Sequence, residues 1–274
     1  MPSLRKRIIL EYQKLSSDKR SFPDFIIIGA QKSGTTSMYA YLEQHPDIVG
    51  SLNKEIHFFD GGTNPKVDNF KKGINWYKAH FPLCENVENK KIFEASPLYI
   101  FNPLVSKRIA NCLPKVKVIA LLRNPTDRAI SHYFHNNKRE RREKLDIMGA
   151  FEAEEKRLEK VLLLKDYKNN IFRNFSYKRR GHYKEQLDRY LNYFSKDQIL
   201  VLNSEIFFSN PHDTLMKVFN FVGVDPNFKV KNLKPKNIGR KKESVSNEAY
   251  NYLNDYFKPH NEALYKLLNQ DFNW

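Results

Sequence analysis

Cysteine is nearly absent: Cys84 and Cys112 are the only two in 274 residues. They sit in segments without metal-ligand spacing and cannot build a disulfide framework, so the sequence fits a reducing compartment. Long apolar runs are missing too. After the basic Arg5-Lys6-Arg7, the run Ile8-Ile9-Leu10 stops at Glu11, too short for a secretion signal, and nothing approaches the ~20 apolar residues of a membrane span. A cytoplasmic location without a transmembrane segment is therefore expected. No Pro/Gly/Ser-rich linker divides the chain, so residues 22–274 are expected to form one domain behind a basic arm, residues 1–21. Acidic residues are the minority: 31 Asp+Glu face 47 Lys+Arg, for a formal charge of +16. That balance favours anionic partners such as nucleotides, acidic glycans, nucleic acid or a membrane surface, without choosing among them.

What is present is organised around Phe25-Ile26-Ile27-Ile28-Gly29-Ala30-Gln31-Lys32-Ser33-Gly34-Thr35-Thr36-Ser37. Four large apolar residues before a glycine read as a strand buried on both faces, and the Ser/Thr-rich end followed by Met38, Tyr39 and Leu42 reads as a helix start. Strand, tight loop and helix make a phosphate cradle. Gly29 and Gly34 let backbone approach an anion, the helix N-terminus adds partial positive charge, and Lys32 adds a full one. A nucleotide triphosphatase loop carries its lysine directly after the second glycine. Here Thr35 and Thr36 follow Gly34, and the lysine stands two places before it.

Further along, Asn53-Lys54-Glu55-Ile56-His57-Phe58-Phe59-Asp60 interleaves ionisable and apolar residues, as expected of a buried extended segment with a polar side aimed at a cleft. By residue type alone a structural ion-pair cluster fits equally well. Lys115 to Leu122 reads as a second buried strand ending at Arg123, and Asn124-Pro125 starts a helix that carries Ser131 about two turns on. Arg123 and Ser131 are thus placed to reach one phosphate. His132 and His135 lack a carboxylate or cysteine partner and read as surface or cleft-lining residues rather than metal ligands. Residues 136–180 are dominated by charge, with a helical pattern from Ile147 to Leu164. They read as a cap over an acceptor site or as a solvated cap without such a role. Strands alternating with helices predict an α/β fold: a P-loop-like three-layer αβα arrangement with a central, mostly parallel sheet and ligand at the strands' C-terminal edge.

The run from Phe25 to Tyr39, with Lys54 to Asp60 and Arg123-Asn124-Pro125 through Ser131, resembles the sulfotransferases that use 3′-phosphoadenosine 5′-phosphosulfate. The pattern is most like the heparan sulfate group, both the N-sulfotransferase domain and the 3-O-sulfotransferases. The likeness extends from about Phe22 to the closing Phe272-Asn273-Trp274. It implies that Gln31, Lys32, Ser33, Gly34, Thr35 and Thr36 hold the donor's 5′-phosphate, and that Arg123 and Ser131 hold its 3′-phosphate. It also implies Glu55 as catalytic base, with Lys32 and His57 in catalysis and Asp60 on the substrate side. Gly239, Arg240 and Lys241 match a late basic loop that closes over the nucleotide, although Ile238 stands where relatives carry lysine. Ala95 also departs from the pattern, replacing a substrate-side lysine, which weakens the case for an identical acceptor.

The expected reaction is sulfuryl transfer to a hydroxyl or amine of a saccharide or glycoconjugate, yielding 3′-phosphoadenosine 5′-phosphate. The sulfuryl group carries less negative charge than a γ-phosphoryl group, so lysine and amides suffice and no metal is called for. Oligomeric state is not readable. A nucleotide kinase or ATPase predicts a lysine after Gly34 and an acidic residue at a strand end, where Thr35 and Arg123 stand instead. A basic polyanion-binding protein would explain the charge but not the cradle loop with Glu55 beyond it, and no nucleic-acid recognition motif is present.

Overall fold

The computed structural model describes residues 4–236 and 245–274, with side chains throughout these except at 4–8, 138 and 139. At its centre lies β1 (Phe25–Gly29), whose five residues are all buried. Such a strand needs partners on both edges and helices on both faces. It pairs in parallel with β3 (Lys91–Ala95) on one side and β4 (Lys117–Leu122) on the other. With β2 (Ile48–Gly50) and β5 (Ile199–Asn203) the sheet has five strands in the order β2-β3-β1-β4-β5, every pair parallel. The three-residue β2 is too short to leave a periodic signal and was not foreseen.

Twelve helices are described: α1 (Leu4–Leu15), α2 (Thr35–Leu42), α3 (Ile74–Lys78), α4 (Val105–Cys112), α5 (Pro125–Phe134), α6 (Ile147–Glu152), α7 (Glu154–Leu163), α8 (Asn170–Phe175), α9 (Tyr183–Leu191), α10 (Ser204–Ser209), α11 (Pro211–Val222) and α12 (Asn247–Leu268). Alternation along β1 sends Ile26 and Ile28 into a core with Tyr77 of α3, Ile109 of α4 and Leu187 of α9. Phe25 and Ile27 face the opposite core, built with Met38 of α2, Phe207 of α10 and Phe219 of α11. The three-layer αβα arrangement is thus present.

The described residues before β1 are tied to the rest of the fold at Arg20. The Arg20 guanidinium donates to the carbonyls of Phe81 and Gln13 at 2.6 and 3.1 Å. Residues 136–180 are not merely a solvated cap. Leu158 and Val161 of α7 and Phe172 of α8 form an apolar cluster with Phe101, and the expected single helix is broken at Ala153, the residue between α6 and α7. The break turns the buried Glu154 inward, where it accepts from the backbone N–H groups of Lys178 and Arg179. His132 is likewise buried, packed on the Tyr177 ring, which corrects its expected surface or cleft position. Among the described residues no helix is long and apolar enough to cross a membrane.

Candidate active site

The loop between β1 and α2 is held from three sides. Ala30 N–H donates to the Leu121 carbonyl at 2.7 Å, fastening the loop to the end of β4, and the Ser204 hydroxyl donates to the Ser33 carbonyl at 2.8 Å. The third tie is the Arg123 guanidinium, whose Nη1 donates to the Lys32 carbonyl at 3.1 Å. Gly34, at φ 94°, is the N-cap of α2 and brings no side-chain acceptor to the first-turn amides. A Cβ there would meet the Phe208 ring at 2.7 Å, so both conformation and space demand glycine. Lys32 also takes a left-handed backbone, at φ 73°. The Ser33 hydroxyl is fully buried with no hydrogen-bond partner among the described residues. A backbone cradle with a strand-tip cation against it and an orphaned hydroxyl beneath suits a phosphate.

Residues 54–60 do not form the extended segment that their alternation suggested. Glu55 and His57 sit at φ 64° and 53°, a conformation that costs an L residue on the order of 1–3 kcal/mol and persists only where surroundings impose it. Here they do. Glu55 N–H donates to the Ala95 carbonyl at 2.9 Å, His57 N–H to the Ser96 hydroxyl at 3.3 Å, and Phe58 N–H to the Tyr99 hydroxyl at 2.9 Å. Phe58 and Phe59 are buried below, with Phe58 stacked on Tyr77 at 4.8 Å between ring centres. The segment is therefore stitched to the end of β3, next to the end of β1, because Ile27 pairs with Ala95.

This backbone lines up four charged side chains. Asp60 Oδ2 lies 2.7 Å from His57 Nδ1, His57 Nε2 lies 3.5 Å from Glu55 Oε2, and Lys54 Nζ lies 2.8 Å from Glu55 Oε1. Burial works to raise the Glu55 pKa, but the hydrogen bond with His57 and the Lys54 charge prevail and hold it at about 2. For His57 burial works downward, and the Asp60 carboxylate overrides it, lifting the imidazole to about 9. Glu55 is the outermost carboxylate, its side chain 47% exposed, while Asp60 and His57 are enclosed. Behind them lies the fully buried Glu94, bonded to the Tyr77 and Ser96 hydroxyls at 2.6 and 3.1 Å; desolvation raises it to about 7.

The sequence-predicted residues thus fall into two groups at one sheet edge. Gln31, Lys32, Ser33, Gly34, Thr35 and Thr36 share the loop and the first turn of α2, with Arg123 bonded to it. Ser131 lies half-buried in α5, whose N-cap Asn124 follows Arg123. Glu55, His57 and Asp60 form the second group. Gly239, Arg240 and Lys241 lie outside the described residues; the chain enters that stretch at Lys236, whose N–H donates to the Ser37 hydroxyl at 2.9 Å. Sequence reasoning missed the supports: Ser204, Tyr99, Glu94 with Ser96, and Arg180, which donates to the Gln31 side chain. Glu94 and Ser96 flank Ala95, and Arg180 ends the charged stretch 136–180, but none of the three carried a signal of its own, and Ser204 and Tyr99 lay outside every stretch noted in the sequence.

A sulfotransferase domain family matches residues 22–259. The mouse bifunctional heparan sulfate N-deacetylase/N-sulfotransferase 4 is 31% identical over 90% of this chain, which spans only 30% of that protein's length. The membrane-associated sulfotransferase kil1 of Dictyostelium discoideum is 30% identical over 92% of this chain and 66% of its own. A sulfotransferase from Alicyclobacillus acidocaldarius superposes with a TM-score of 0.75 at 29% identity, covering 92% of this chain and 98% of that one. With the strand-loop-helix cradle in place and the family match running from just before β1 into α12, this chain belongs to the sulfotransferase domain family.

Proposed function

We propose that the chain moves a sulfuryl group from 3′-phosphoadenosine 5′-phosphosulfate to a hydroxyl or amine of a saccharide or glycoconjugate. The observation that carries this reading is the Arg123 to Lys32 contact, which joins the strand-tip cation to the phosphate loop. A donor with phosphates at two ribose positions needs two such anion sites side by side. The loop amides and Lys32 take the 5′ side, and Arg123 with Ser131 takes the 3′ side.

In the transfer, Glu55 accepts the proton of the acceptor hydroxyl or amine as the new bond to sulfur forms. The bond from sulfur to the bridging oxygen breaks, its electron pair passes to the departing phosphate, and Lys32 neutralises the charge that grows there. A carboxylate held at about 2 is ionised and ready at neutral pH, though weakly basic. An acceptor that displaces water from the exposed carboxylate strengthens it as a base, because desolvation favours the protonated form. His57, kept cationic by Asp60, holds Glu55 in place and faces the negative charge of the transferring group.

Thermal stabilisation by adenosine 3′,5′-bisphosphate without metal, compared with ATP plus magnesium, tests the donor. A clear preference for ATP plus magnesium would sink the reading. Labelled donor incubated with neutral and acidic polysaccharides then tests the acceptor, and labelling of neither contradicts a saccharide.

A further inference from the structure

Arg180 has no part in the roles assigned above. It stands just before α9, is 3% exposed, and reaches across 149 residues of sequence to the donor loop. Its Nη1 donates to Gln31 Oε1 and its Nη2 to the Arg173 carbonyl. The guanidinium lies 4.9 Å over the Phe101 ring, and its Nε is buried with no hydrogen-bond partner among the described residues. Glu154, a buried carboxylate nearby in charge terms, spends its oxygens on backbone amides. Two cavities meet at this side chain. One contains Asp60, Asn102, Phe172 and Arg173, and the other lies under the donor loop beside Ala30, Gln31, Arg128 and Gln186.

We propose that Arg180 is a positioning residue for sulfuryl transfer: it forms the wall between the acceptor side and the donor loop and, through Gln31, fixes the Lys32 turn relative to Glu55 and His57. The inference rests on the function proposed above. A planar guanidinium that spends two nitrogens on anchors in different segments fixes both its own rotation and the separation of those anchors. Lysine, a point charge on a flexible stem, cannot hold both. Burying such a cation with one N–H unpaired is costly, and the site where that cost is borne is the junction of the two half-sites. In-line transfer tolerates little error there, since a misplacement of about 1 Å lowers rates on the order of a hundredfold.

The test is a double-mutant cycle on the full chain with R180K and Q31A, reading kcat at saturating donor, affinity for adenosine 3′,5′-bisphosphate, and melting temperature. Each single variant is expected to lower kcat by about tenfold to a hundredfold; R180K should leave bisphosphate affinity within about threefold, whereas Q31A, a change in the donor loop itself, is read on kcat at saturating donor alone. The double variant should fall no further than the worse single, within about twofold. Additive losses, or an R180K enzyme with normal kcat, overturn the proposal. Should R180K fail to fold, Q31A alone decides. It removes a neutral, half-buried side chain, and a normal kcat in that variant also overturns the proposal. Wild-type protein that neither binds the bisphosphate nor transfers sulfuryl sinks the functional reading itself. Normal wild-type transfer with additive variants sinks only the role of Arg180.

Discussion

The two halves of the proposed site, a donor side and an acceptor side, are built by opposite means. On the donor side, six consecutive residues from Gln31 to Thr36 supply the cradle, and a strand, a glycine and a helix start position it. On the acceptor side, the polar row from Lys54 to Asp60 has no regular structure and takes its shape from residues far off in sequence: Ser96 and Tyr99 below it, and Arg173, whose side chain donates to the Thr63 carbonyl across 110 residues. A cradle made of backbone is specified locally, whereas a strained row of side chains is specified by its neighbours. The turn of the first is set by its own residues, with Ser204, Arg123 and Arg180 fixing only where it lies, whereas the shape of the second depends on distant residues throughout.

That contrast predicts which kinetic constant each substitution moves. The largest effect is expected from Glu55→Gln, which should lower kcat by about 10²–10⁴-fold while bisphosphate binding, followed calorimetrically, is unchanged. Loss of nucleotide binding in that variant would break the division between the two sides. Lys32→Ala comes next, with kcat reduced by about 10²–10³-fold and affinity reduced less, because its charge matters most as the leaving phosphate forms. Arg123→Ala should weaken bisphosphate affinity by about tenfold to a hundredfold and leave kcat at saturating donor close to normal. A kcat collapse there would place Arg123 in the transfer step instead.

The smallest effect concerns stability and sharpens the acceptor side alone. Glu94 is raised from 4.5 to about 7 by burial, so its contribution is present below about pH 4.5 and disappears as pH rises through 7. His57, raised from 6.5 to about 9 against the pull of its burial, contributes fully below about pH 6.5 and loses that contribution through 9. Glu55 and Asp60 are depressed, so their contributions are lost as acid is added. Melting temperature should therefore fall in two stages above about pH 5. Glu94→Gln should flatten the first, by a few degrees, and leave the second; an unchanged profile would show that Glu94 does not titrate in that range.

The legible part of the molecule was the part governed by local chemistry. The buried run from Phe25 to Ile28, the Asn124-Pro125 helix start and the Gly34 turn each carry their structural instruction within a few residues, and β1, α5 and α2 follow them. The alternation from Lys54 to Asp60 correctly marked Ile56, Phe58 and Phe59 as buried, but His57 and Asp60 are buried beside them and the backbone is not extended. Left-handed turns at Glu55 and His57 leave no trace in residue type, since neither is glycine or asparagine. Arg180 was invisible for a related reason. A lone arginine in a charged stretch reads as surface until the fold shows that it crosses to Gln31.

The central position of β1 has a consequence for biogenesis. Its two partners begin 66 and 92 positions downstream of Phe25, at Lys91 and Lys117. During synthesis its Ile-rich edges must therefore wait for both, and late pairing of this kind slows folding and exposes sticky segments to other chains. Refolding yield from denaturant should accordingly drop as protein concentration is raised, and a yield independent of concentration would show that the nascent strand is shielded by some earlier collapse.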